Sequence, residues 1–117
     1  MHTWDEIVSE LRAEAQAMHE AREATLGHCR RLGQLAAKCI RHIHRDQFTE
    51  AERLLQEAMT TAELARETIR KFPALNPAYL HDSEKEMVEA AAVLAIVRGE
   101  PIPSPQRLGA QIMSYLN

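Results

Sequence analysis

Aromatic residues make up only 4% of this 117-residue chain, and glycine occurs four times. Strands draw on aromatic and β-branched side chains, so the scarcity argues against a sheet and for helices. Long apolar runs are missing as well. The longest, Ala90–Val97, falls far short of the ~20 residues that a membrane helix needs, so no membrane partner is expected. The opening Met1-His-Thr-Trp-Asp-Glu6 has neither a basic nor an apolar stretch, and no signal peptide is visible. Only two cysteines occur, Cys29 and Cys39. On one helix they would lie about 15 Å apart at a rise of ~1.5 Å per residue, too far for an internal disulfide. A reducing, cytoplasmic setting follows as an expectation. The sequence has no Gly-x-Gly-x-x-Gly, Walker loop, Ser/His/Asp ordering, Glu-x-x-His, His-Glu-x-x-His or Cys-x-x-Cys. Nucleotide-fold, hydrolase, zinc and ferritin-type di-iron chemistry can therefore be set aside.

What remains is a chain that is 45% hydrophobic and 26% charged, with a formal net charge of −3. Its length suits one domain, residues 1–117. Thr3-x-x-Glu6 is a capping box, and apolar residues then recur at Trp4, Ile7, Val8, Leu11, Ala15, Met18, Leu26, Cys29, Leu32, Ala36, Cys39 and Ile43. This period predicts one long helix from about Thr3 to His44. A second helix opens at Asp46-Gln-Phe48 and ends before Pro73, with a core face of Phe48, Ala51, Leu54, Leu55, Ala58, Ala62, Leu64, Ala65 and Ile69. The segment 73–80 reads as a loop. Asp82 or Ser83 is expected to cap a third helix that Gly99 stops near Arg98. Ser104-Pro105 starts a short turn that Gly109 ends, and Ala110–Leu116 begins a further helix. The expected fold is all-α, an antiparallel helical bundle with one long N-terminal helix.

Two features carry chemistry. No acid lies between Glu23 and Asp46, while Arg30, Arg31, Lys38, Arg41 and Arg45 do. On a helix Arg31, Lys38, Arg41, His42 and Arg45 fall within an arc of about 100° beside the apolar arc. Such a stripe is either a solvated face or a surface for a nucleic-acid backbone, and the lack of interleaved acids is what admits the second reading. His42 and His44 sit about 160° apart and cannot share a ligand. The second feature is the pair Glu86 and Glu89 at the mouth of the apolar run. Residues three apart share a helix face, with Cβ atoms roughly 5–6 Å apart. A helix apolar all round is a buried one, so at least Glu89 is expected where water is scarce. There a carboxylate must be neutralised, paired or metal-bound. The pair is thus a candidate half-site for a divalent metal, or else a partner of the basic stripe or a solvated first turn.

Several stretches together resemble the translin family, particularly its prokaryotic and translin-associated factor X-like members. They are Lys38-Cys-Ile-Arg-His-Ile-His-Arg45, Phe48-x-x-Ala51-x-x-Leu54-Leu55, Asp82-x-x-Lys-Glu86-Met-Val-Glu89-Ala90, and Gly99-x-Pro-Ile-Pro-Ser-Pro105 followed by Leu108-Gly109 and Tyr115-Leu116. The resemblance implies an all-helical subunit that forms a homo-oligomer and binds single-stranded RNA or DNA. In one branch it also implies a Mg²⁺-dependent endoribonuclease. Glu86 and Glu89 match that branch's paired catalytic, metal-holding carboxylates, and Lys38, Arg41 and Arg45 fall in the basic helix linked with nucleic acid in the family; Arg31 is added to the expected nucleic-acid-binding set by the stripe alone. Family members continue past Tyr-Leu into a helix with a further catalytic Asp, whereas this chain stops at Asn117. The C-terminal part of the family fold is therefore expected to be missing, and the chain itself to be inactive as a nuclease. The rival expectation is a helical adaptor with no nucleic-acid activity, in which Phe48-x-x-Ala51-x-x-Leu54 serves only to pack a helical hairpin.

Overall fold

Among the described residues four helices follow in chain order: α1 (Trp4–His44), α2 (Phe48–Lys71), α3 (Ala78–Arg98) and the one-turn α4 (Pro105–Leu108). The computed structural model describes residues 3–75 and 78–109, and no strand occurs among them. The expected helix over 110–116 lies outside the described residues.

The capping box at the start of α1 is present. Glu6 N–H donates to Thr3 Oγ1 at 3.2 Å, and Thr3 N–H donates to Glu6 Oε2 at 3.0 Å. The chain reverses at 45–47, where Asp46 adopts a left-handed φ of 58°, a conformation that a short polar side chain tolerates. The hairpin closes with Gln47 N–H donating to the His42 carbonyl at 2.9 Å and His42 Nδ1 lying 2.5 Å from Gln47 Oε1. At the end of α3, Gly99 takes a φ of 69°, and Glu100 N–H returns to the Ala95 carbonyl at 2.8 Å. This glycine-mediated C-terminal cap is what the sequence calls for.

Two ion pairs join α3 to α2 with opposite polarity: Arg98 meets Glu52 near the start of α2, and Glu84 meets Arg66 near its end. The helices therefore run up, down and up, so that α3 lies parallel to α1. The core is built from Cys29, Leu32, Leu35, Ala36, Cys39 and Ile43 of α1, Ala51, Leu54, Ala58, Ala62 and Ala65 of α2, and Leu80, Met87, Ala90, Ala91 and Leu94 of α3. Leu108 of α4 closes one end.

The structure departs from expectation at three places. First, α3 starts at Ala78, not at Asp82 or Ser83. Burial of Leu80 draws this first turn onto the core, and Ser83, instead of capping, places its hydroxyl 3.0 Å from the Cys29 carbonyl and 3.1 Å from that of Tyr79. Second, Leu64 is exposed while Thr61 is buried. On a helix Leu64 lies about 80° off the arc of Leu54, Ala58 and Ala65, whereas Thr61 lies at its edge, about 20° from Leu54. Third, the apolar run of α3 is not buried all round. Ile96 and Val97 are exposed, because among the described residues only two long helices pack against α3 and they cover part of its girth. The long helix α1 also overshoots the bundle, as its surplus of apolar residues implies. Its first buried residue is Ala21, and the molecule is 65 Å long, close to the ~60 Å that forty-odd residues span at ~1.5 Å each. Trp4, Ile7 and Leu11 are exposed along this arm.

Among the described residues, one charged side chain is fully buried. Glu84 accepts from Arg66 Nε at 2.7 Å. Arg66 also donates from Nη1 to Glu63 at 3.1 Å and from Nη2 to the Leu108 carbonyl at 3.4 Å, so a single guanidinium joins α2, α3 and α4. Removing one partner of such a pair leaves an uncompensated buried charge. Glu84→Met is therefore expected to cost about 3–5 kcal/mol in urea unfolding, and the double change with Arg66→Met to recover most of it.

Candidate nucleic-acid and metal site in the α1–α3 groove

Beside Glu86 and Glu89 of α3, α1 offers small residues, Gly33, Ala36 and Ala37, next to Ile40. Ala36, Ala37 and Ile40 of α1 and Glu86 and Glu89 of α3 line an open groove of about 300 Å³. A Cβ built on Gly33 would stand 3.1 Å from Glu86 Oε2. The missing side chain at Gly33 is thus what lets the Glu86 carboxylate rest over α1.

Both members of the carboxylate pair are exposed. This corrects the expectation that Glu89 sits where water is scarce. The carboxylate that does is Glu84, one turn earlier and on the opposite, core-facing side of α3. Its position was readable in the period Leu80, Glu84, Met87, Val88, Ala91. The alternative role for the pair, a salt bridge to the basic stripe, is not adopted: no ion pair among the described residues involves Glu86 or Glu89. Two oxygen-donor side chains thus face one groove. No group of three possible metal ligands occurs among the described residues.

The basic residues divide into two sets. Arg31 donates from Nη2 to Glu57 Oε1 at 2.7 Å, and Glu57 also accepts from Arg53 at 3.2 Å. Arg31 thus belongs to a network that ties α1 to α2, and its guanidinium holds the Glu57 carboxyl below the usual carboxylate range. Lys38, Arg41 and Arg45 are exposed, and none takes part in an ion pair among the described residues. Arg30 is equally exposed and unpaired. On the helix, Arg30, Arg41, Arg45 and Lys38 span an arc of about 80° that begins beside Ala37, at the rim of the groove. A cationic rail therefore flanks the two carboxylates. Helical projection alone puts Arg31 in this rail and leaves out Arg30, which lies about 20° beyond the arc; Arg31 is instead tied to Glu57, an acid from another helix.

The cysteines take no part. Burial pushes the Cys39 thiol up to about 11, and burial followed by the nearby Glu84 charge raises that of Cys29. Both are free, and Cys39 Sγ donates to the Ala51 carbonyl at 3.2 Å. A thiol held protonated in this way is a packing residue and not a nucleophile.

No protein-family model matches the sequence, and no curated protein does. Among solved structures, the chain is similar to the crystal structure of apo-NeC3PO, with a TM-score of 0.84 and 24% sequence identity. It has the all-α translin-like fold. The match covers 93% of this chain and 58% of that one, so the chain spans less than two thirds of its structural relative. Within the translin-like fold, none of the described helices is long and apolar enough to cross a membrane.

The two helical glycines of α1 offer a direct check on the groove. A Cβ at Gly27 meets nothing within 4 Å, so Gly27→Ala should raise stability by about 0.5–1 kcal/mol. Gly33→Ala should show less of that gain, because the new methyl must push the Glu86 carboxylate aside. Thermal unfolding of the two variants compares them directly.

Proposed function

We propose that the chain binds single-stranded RNA or DNA in the manner the translin resemblance implies. The observation that supports this most is the unpaired cationic rail of Lys38, Arg41 and Arg45 beside an open groove. Phosphates answer such a rail electrostatically and without sequence preference. A solvated face would serve as well with its charges paired within the surface, as Arg31, Arg53, Glu50 and Glu57 are.

The groove also fits one side of a Mg²⁺ site. Magnesium is commonly held by one or two carboxylates, with waters and substrate phosphates completing its shell, and Glu86 and Glu89 supply carboxylates of that kind. When bound there, the metal would supply charge stabilisation at a phosphate and an acidified water. The side chains themselves would orient it, while the rail holds the strand across it. Two carboxylates alone make a weak site, so endoribonuclease activity would need the further carboxylate that the resemblance assigns to the C-terminal region of the family chain.

Fluorescence anisotropy with a short oligonucleotide across a salt series tests the binding. Affinity should fall with salt with a slope of about −0.7 per neutralised phosphate. Lys38→Glu with Arg41→Glu should flatten it, and Arg31→Gln should weaken binding less than Lys38→Gln does. Glu86→Gln with Glu89→Gln should leave metal-free binding nearly intact. An unchanged slope after the Lys38/Arg41 reversal would make the rail a solvated face.

We further infer that the chain forms a homo-oligomer through the α1 arm. Trp4 and Leu11 are 76% and 59% exposed, and with Ile7 they form a continuous apolar stripe that a lone subunit leaves in water. Light scattering should show a dimer or larger species, and Leu11→Glu should shift it toward monomer without lowering helicity.

A further inference from the structure

The α1–α3 groove has a second chamber, seven residues closer to the N-terminus on both helices. Leu26 and Arg30 of α1 stand there as Gly33 and Ala37 stand in the carboxylate groove, and Tyr79 and Asp82 of α3 as Glu86 and Glu89. The register repeats because α1 and α3 are parallel, so a seven-residue step keeps the same faces together on each. The chamber measures about 300 Å³ and is lined by Leu26, Cys29, Arg30, Tyr79, Asp82 and Ser83. Cys29 is buried beneath it, and the Ser83 hydroxyl is held by two carbonyls, so the free chemistry belongs to the other polar residues. Tyr79 is 59% exposed. Arg30 and Asp82 are exposed, and no ion pair among the described residues involves either.

We propose that this chamber is a nucleobase subsite of the same groove. It rests on the reading that the groove holds a single strand. Tyr79 offers the ring face on which a base stacks, an interaction available to every base. The Arg30 guanidinium continues the cationic rail and takes the flanking phosphate. The Asp82 carboxylate, an acceptor only, selects a base edge that donates. Guanine presents adjacent N–H donors at N1 and N2, which match two carboxylate oxygens. Uracil flanks its single N3–H with carbonyl oxygens, which would face the carboxylate and repel it. The subsite therefore prefers guanine to uracil. Seven residues correspond to roughly 10 Å along the helices, a distance that a short single strand spans. A base held at Tyr79 thus fixes which phosphate lies over Glu86 and Glu89.

The test compares binding of an oligouridylate with that of the same oligomer carrying one internal guanine, by anisotropy in metal-free buffer. The guanine-containing strand should bind more tightly to the unmodified protein. Tyr79→Ala should weaken its binding about tenfold, whereas Tyr79→Phe, which keeps the ring, should not. Asp82→Asn should erase the guanine preference and leave oligouridylate affinity no weaker. If both strands bind with the salt dependence of the rail, and Tyr79→Ala changes neither, the subsite is refuted while the binding reading stands. If the unmodified protein binds neither strand at low salt, the binding reading itself fails and the subsite with it.

Discussion

The groove depends on how closely α3 can approach α1. Packed helices sit about 8–10 Å apart, depending on the side chains at their contact, and here α1 offers Gly33, Ala36 and Ala37 to its neighbour. Larger residues would lift α3 away and take Ser83 out of reach of the Cys29 carbonyl, which it meets at 3.0 Å. That bond fixes the longitudinal register of the two helices. Register in turn decides that Glu86 lies over Gly33 and that Tyr79 lies beside Arg30. A local choice of small side chains on one helix therefore sets the carboxylate groove, and the shared register places the chamber of Leu26, Arg30, Tyr79 and Asp82 along the same seam.

Electrostatics hold the other side of α3. A buried carboxylate is costly unless paired and hydrogen-bonded, and Arg66 reaches Glu84 in the core from α2 at 2.7 Å. The same guanidinium binds the Leu108 carbonyl at 3.4 Å, so α4 is positioned by the partner of the buried charge. Such pairs add little net stability over apolar packing. What this one supplies is position: it fixes the roll of α3, turning Glu84 inward and Glu86 and Glu89 outward.

The long elements were legible in the sequence because each carries its own signal. The Thr3–Glu6 capping box, the 3.6-residue period and Gly99 bound α1 and the end of α3 without reference to anything distant. The misreadings fall where a second helix decides. The apolar run that follows Glu89 predicts a dry site, but the exposed Ile96 and Val97 show that this helix is covered on one side only. Glu84 shares the period of Leu80 and Met87, yet a charged residue on an apolar face looks unfavourable until Arg66 is known to lie opposite. Arg31 joins the rail in projection and leaves it once Glu57 of α2 is brought alongside. The start of α3 was hidden because two prolines and an asparagine mask the period, and burial of Leu80 overrides that local chemistry.

A net charge of −3 conceals how charge is divided along α1. From Trp4 to Glu23 the helix carries Asp5, Glu6, Glu10, Glu14, Glu20 and Glu23 against Arg12 and Arg22, whereas from Ala24 to Arg45 it carries only positive charges. Acids near the N-terminus and cations near the C-terminus both suit the helix dipole, but that effect fades within a turn and cannot explain segregation along the whole helix. The division follows the packing instead. The acidic half is the arm, which leaves the bundle and exposes Trp4, Ile7 and Leu11; the basic half is the part that α2 and α3 cover on its other faces. In the proposed binding mode an acidic arm would repel a phosphate backbone that the basic half would attract, so a strand would be steered toward the α1–α3 groove and away from the arm's apolar stripe. One helix thus separates the surface suited to protein contact from the surface suited to nucleic acid, with the boundary where Ala21 and Thr25 first enter the core.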